Sequence, residues 1–183
     1  MNDKLFPTDL PTMEWTEFAA AGFSAPVTGA IHRGSRPPSC GMPLGGIDTG
    51  CLDLGPSGLL GFSSIFNALY PRRGPLGVPF LGLSVGLQGW ALTTLNLESP
   101  DGVFWRDSRV LQEPGREMMP VRRASEIRYW GHYPVADLEY ETDAPVSINM
   151  RAWSPFIPGD VAISNTPGAV FEVYLHNSSR ERQ

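Results

Sequence analysis

Lysine is all but absent: thirteen of the fourteen basic residues are arginine, and Lys4 is the exception. Acidic residues outnumber them, giving a formal charge of −5 and a pI near 5.1. That balance leaves no general footprint for nucleic acid and no basic surface for a membrane. No apolar run approaches the roughly eighteen residues that a membrane-crossing helix requires. The N-terminus, Met1-Asn2-Asp3-Lys4-Leu5-Phe6-Pro7, lacks a basic stretch followed by an apolar one. No classical signal peptide is visible, and a cytoplasmic protein is expected. Cysteine is scarce as well. Cys40 and Cys51 stand eleven positions apart, which is neither a metal nor a redox spacing, so two small apolar thiols are expected rather than a disulfide.

Catalytic signatures are equally sparse. His32, His132 and His176 are too scattered for a metal site, and no His-x-Glu or Cys-x-x-Cys supports one. No metal and no cofactor is expected. Several serines lack the Gly-x-Ser-x-Gly context of a nucleophile elbow. Gly41, Gly45, Gly46 and Gly50 form a glycine-rich loop, but no Gly-Lys-Ser/Thr follows it. Pro43 also removes an N–H that a phosphate nest would use. Tight turns between packed strands are the better reading. His32, Arg33 and Arg36 read as a solvated basic turn, and Arg122, Arg123 and Arg128 as a local basic spot.

Turn-forming residues, by contrast, are abundant. The 183 residues include 20 Gly and 18 Pro, and 42% are hydrophobic. That mixture suits one domain of many short strands and rigid turns, and argues against global disorder. The clearest pattern lies between Tyr129 and Asn177. Ala136, Leu138 and Tyr140 share one face of a period-2 segment, against Val135, Asp137, Glu139 and Glu141. Val146, Ile148, Met150 and Ala152 do the same against Ser147, Asn149 and Arg151, and Ala169, Phe171, Val173 and Leu175 against Glu172, Tyr174 and His176. Alternation of this kind predicts antiparallel strands with one covered face. Pro134, Pro145 and Pro167 punctuate where a helix would not tolerate them. The link between the first two segments is hairpin-short. The second link carries Phe156 and Ile157, which are expected to fold back onto the sheet or to meet something beyond the chain.

Elsewhere the signal is weaker. Residues 1–13 look loose, and Glu14–Ala21 is expected to form a short helix ended by Gly22. Cys51–Leu54 and Leu59–Phe62 flank Gly-Pro-Ser-Gly and predict a hairpin. Phe80–Val85 and Trp90–Leu95 are further strand candidates. From Asp101 to Arg128, eleven of 28 residues are charged with mixed sign, which reads as a solvated excursion with a strand or two inside. Asp137 and Glu139 are expected to be solvated carboxylates with ordinary titration rather than an acid/base pair. Trp130, His132 and Tyr133 would suit a wall for stacking sugars, but a structural aromatic corner is the preferred reading. No catalytic, cofactor-binding or metal-binding residue is assigned.

Four blocks carry a resemblance. Gly41-Met-Pro-Leu-Gly-Gly-Ile47, Trp130–Tyr140, Ala152–Asp160 and Asn165–Glu172 together resemble the N-terminal domain of glycoside hydrolase family 116, the family of non-lysosomal glucosylceramidase and bacterial β-glucosidases. Many relatives carry glycine where this chain has Asp48. The resemblance implies an antiparallel β-sandwich over residues 41–177, preceded by an extension over 1–40 and followed by a polar tail over 178–183. It also implies a scaffold for an (α/α)6 catalytic domain that holds the nucleophile and the acid/base residue, neither of whose motifs matches a position here. The expected entity is therefore an incomplete sandwich, inactive alone. Its expected partners are the rest of the sandwich and that helical domain, with glycan or glycolipid reached through the full enzyme and self-association of the open surface. A stand-alone carbohydrate-binding or protein-interaction β-module is the alternative.

Overall fold

The computed structural model describes residues 4–34, 38, 41–65, 78–95, 121–177 and 179. Its first element corrects the expected helix. Strand β1 (Trp15–Phe18) pairs antiparallel with β2 (Val27–Ala30), with Trp15 opposite Ala30 and Phe18 opposite Val27. Eight residues are too few to hold a helix without support. Met13, where that helix would begin, has φ 63, and Gly22 at φ 85 turns the chain toward the return strand. Gly22 thus marks a real boundary, but of a strand pair. Nor are residues 4–13 loose: Leu5 and Phe6 are buried, and the Ala21 N–H donates to Leu5 O at 2.7 Å.

After the two-residue β3 (His32–Arg33), four strands form one antiparallel sheet in sequence order: β4 (Met42–Leu44), β5 (Gly50–Leu54), β6 (Leu59–Ile65) and β7 (Val78–Pro79). The β5–β6 pair is the hairpin expected around Gly-Pro-Ser-Gly, with Leu54 opposite Leu60. Strands β8 (Gly82–Val85) and β9 (Gln88–Ala91) make a second hairpin, and β10 (Val121–Arg123) joins β9 in parallel. The strand expected over 90–95 stops early, because the Thr93 N–H closes a tight turn onto Ala91 O at 2.8 Å. Cys51 is a free thiol 3.6 Å from Ser64 Oγ. Cys40, Arg36 and the charged stretch 101–120 lie outside the described residues.

The alternating segments become the largest sheet. Strands β11 (Glu126–His132), β12 (Val135–Glu141), β13 (Val146–Trp153) and β14 (Val170–Asn177) run antiparallel in the order β14-β13-β12-β11-β3. A one-turn helix, α1 (Val161–Ser164), interrupts the β13–β14 link, with the Asp160 side chain accepting from the Ile163 N–H. The apolar face carries Ile127, Tyr129, Leu138, Ile148, Met150 and Ala152, packed with Leu44 and Leu54 of the four-stranded sheet and Trp90 and Leu92 of the second hairpin. Apolar faces of sheets hidden against each other are the energetic basis of a sandwich. The protein is all-β, built almost wholly from antiparallel strands.

The opposite face departs from expectation. It is not solvated, because the N-terminal segment lies over it. Leu5, Phe6, Phe18, Ala20, Ile31 and Trp130 form a second, separate core there. Gly29 makes the close approach possible, since a Cβ at that position would run into the Trp130 indole. Among the described residues, no helix is long and apolar enough to cross a membrane.

Candidate functional site

Two places gather chemistry-bearing residues. The first is the covered polar face of the large sheet. Asp137 of β12 lies in register with Trp130 on β11 and Arg151 on β13. The Arg151 guanidinium grips both carboxylate oxygens, Nε to Oδ1 and Nη2 to Oδ2, each at 2.7 Å. Its Nη2 also donates to Ala21 O at 2.8 Å, tying the pair to the N-terminal segment. Asp137 is completely buried. A bidentate guanidinium is what makes such burial tolerable, since an unpaired charge there would cost several kcal/mol. His132 Nε2 lies 3.4 Å from Asp137 Oδ2.

Glu139, two residues along the same face, has no ion pair among the described residues. The Leu5 N–H donates to its Oε1, and the Phe6 N–H reaches the same carboxyl. Burial pushes this carboxyl up to about 7, against the smaller opposing pull of those N–H groups and Lys4. A cavity of about 370 Å³ opens beside it, lined by Lys4, Thr8, Arg128, Glu141 and Asn149 among others. The expectation of two solvated carboxylates is thus overturned. The missed signal was cross-strand: Asp137 and Arg151 face each other across a hairpin whose short turn fixes the register. The apolar residues of the N-terminal segment, which need cover of their own, were the second clue.

The aromatic trio is split. Trp130 is buried, edge-on to Phe18 at 4.9 Å and Phe6 at 6.4 Å, and His132 stacks on it at 3.8 Å. This is a packing corner. Tyr133 turns away, 53% exposed, with its ring edge-on to Phe156 at 5.4 Å. The basic spot also dissolves into local contacts. Arg122 bonds Asp143 at 2.8 Å, Arg123 donates to Thr94 O at 3.4 Å, and Arg128 pairs with Glu141 at 3.0 Å.

The second place is one end of the sandwich, where four separate stretches meet. The Gly45 N–H donates to Ser154 Oγ at 2.6 Å, and the Ile47 N–H to Ser164 O at 3.0 Å. Ser154 N donates in turn to Pro134 O at 3.2 Å, beside Tyr133. Ser164 Oγ both accepts from Ile157 N and donates to Ile157 O, each at 3.0 Å. A Cβ at Gly46 would lie 2.7 Å from the Asn165 carbonyl carbon and from Thr166 O. The glycine-rich loop therefore serves close backbone packing against the β13–β14 link. Asp48 accepts from Asn165 Nδ2 at 3.4 Å, and its φ is not positive. Around this junction Ile47, Tyr133, Phe156, Ile157, Val161 and Ile163 are exposed.

Residues 41–183 match the family model described as beta-glucosidase 2, glycosyl-hydrolase family 116 N-term. The chain belongs to this family. Neither the comparison with curated proteins nor that with solved structures returns a match. The family 116 match spans strands β11–β14 of the large sheet and the junction at its end, and it leaves residues 4–34, with β3, outside. The segment that buries Asp137 and Glu139 thus precedes the matched residues.

Proposed function

We propose that this chain is a non-catalytic N-terminal β-sandwich module of a β-glucosidase- or glucosylceramidase-like glycoside hydrolase, acting as a scaffold for a helical (α/α)6 catalytic domain. The observation that carries the proposal is the family match over residues 41–183. The exposed apolar side chains at the four-way junction support a surface on which another domain leans. At the far edge of the sheet, Val173 and Leu175 sit on the apolar face yet are exposed. That supports cover by further sandwich strands, or self-association where these are lacking.

A retaining glycosidase needs two accessible carboxyl groups about 5 Å apart across the scissile bond. Asp137 has both oxygens engaged by Arg151 and Glu139 lies under the N-terminal segment, so this reading gives neither a catalytic role. The purified chain is expected to hydrolyse neither aryl β-glucosides nor glucosylceramide above background. Turnover that survives repurification and disappears in Asp137→Asn or Glu139→Gln would overturn the proposal. The exposed Tyr133–Phe156 pair favours a second reading, a stand-alone carbohydrate- or protein-interaction module, which a sugar titration with saturable binding lost in Tyr133→Ala would support.

A further inference from the structure

We propose that Lys4–Leu10 is a pH-sensitive strap, seated on the polar face of the sheet through the Glu139 carboxyl and released when that carboxyl ionises. The inference is independent of the family reading, since the strap precedes the matched residues. Its geometry is that of a small latch. The Leu5 and Phe6 N–H groups both point at one carboxyl that is 3% exposed, while the Leu5 and Phe6 side chains close over Ile31, Phe18 and Trp130. Without the strap, Trp130 loses its Phe6 contact and Glu139 meets water.

Among the described residues, the charges around Glu139 do not neutralise it. On its own strand, Asp137 and Glu141 share its face and are both acidic. Across on β11, Arg128 is taken by Glu141 at 3.0 Å and Glu126 at 3.2 Å. Across on β13 stands the neutral Asn149, and Arg151 beyond it is committed to Asp137. From the strap, Lys4 donates to Thr8 Oγ1 at 2.7 Å rather than to Glu139. Burial therefore dominates, and the closed strap holds the proton up to about pH 7. In the open state water solvates the carboxylate, which returns toward its ordinary 4.5. Between those limits the open state binds fewer protons, so rising pH favours opening, and the effect levels off above the upper one. The polar cavity beside Glu139 gives water a route to the carboxyl as the strap lifts.

Amide hydrogen exchange tests this on the whole chain. Protection of the Leu5 and Phe6 amides, corrected for intrinsic exchange, is expected to fall on the order of tenfold or more between about pH 5.5 and about pH 8. Over the same range the Met150 and Leu138 amides should stay far better protected than those of Leu5 and Phe6. Glu139→Gln should flatten the response. Unchanged Leu5 and Phe6 protection in the wild type, or an equal fall in Glu139→Gln, overturns the proposal. A carbon-detected titration of the Glu139 carboxyl needs no variant: a midpoint near 7 supports the strap, and one below about 5 overturns it.

Discussion

The two faces of the five-stranded sheet use the same strands and solve burial in different ways. On the apolar face Leu138, Ile148, Met150 and Ala152 are shut against the facing sheet and need only volume and hydrophobicity. On the other face Trp130 and its ring partners are packed around two buried carboxylates. Those two carboxylates differ in turn. Asp137 engages Arg151 through two hydrogen bonds, whereas Glu139, with no ion pair among the described residues, holds its proton up to about pH 7. Alternation along a strand therefore reports which residues share a face, but not whether the polar face is wet. A covering segment elsewhere in the chain decides that.

The largest expected effects test whether the polar face matters as much as the apolar one. Asp137→Ala strands the Arg151 charge and is expected to cost about 3–5 kcal/mol. Trp130→Ala should cost about 3–5 kcal/mol and Leu138→Ala, on the opposite face, about 2–5 kcal/mol. Urea denaturation of the three variants checks the ranking. The double change Asp137→Leu with Arg151→Met should recover much of the loss, because removing both charges removes the desolvation cost. An Asp137→Ala variant within about 1 kcal/mol of the wild type would reduce the ion pair to a bystander.

Legibility followed the same division. The hairpins and strands from Val135 to Asn177 were readable because period 2 and short turns act locally, within a few residues. The split of Trp130 and His132 from Tyr133 was not, since it depends on which side of β11 the N-terminal segment lands. Glu14–Ala21 misled for a related reason. Its composition permits a helix, but pairing with Val27–Ala30 supplies a full backbone ladder that an isolated two-turn helix cannot match. The junction of Gly46 with Asn165 and Thr166 spans more than a hundred residues of sequence, and only the family resemblance linked those blocks beforehand.

A middle-sized effect separates Glu139 from the exposed carboxylates. Its folded-state carboxyl is raised to about 7 from an ordinary 4.5. Between these values the unfolded chain has lost the proton that the folded chain keeps, so stability falls as pH rises and levels off above about 7. A decline of about 1–3 kcal/mol across that window is expected, and Glu139→Gln should abolish it. Asp143, held low by its bond from the Trp90 indole, and Glu172, held low by Tyr174 and Trp153, act with the opposite sign. Their contribution is present above the ordinary carboxylate range and lost as pH drops through their depressed values, outside the Glu139 window. Melting temperatures measured from about pH 2 to 8 resolve the two slopes. Stability that rises across the Glu139 window would mean that this carboxyl is ionised in the fold.

The smallest effect sharpens the contrast within the aromatic trio. Tyr133 is 53% exposed, and Phe156 at 5.4 Å is its ring partner among the described residues. An edge-to-face pair contributes about 0.5–1.5 kcal/mol beyond area burial, and solvent already wets half of this ring. Tyr133→Ala should therefore cost no more than about 1 kcal/mol, well below Trp130→Ala three residues earlier. Phe156→Ala should cost a similar amount, and the double variant should fall short of the sum of the two, because each ring loses the same contact. Thermal and urea unfolding of the two single variants and the double variant decide the matter. A loss approaching that of Trp130→Ala would place Tyr133 in the core-forming corner after all. A near-neutral result leaves this aromatic pair as surface whose energy is available to a partner instead of to the fold.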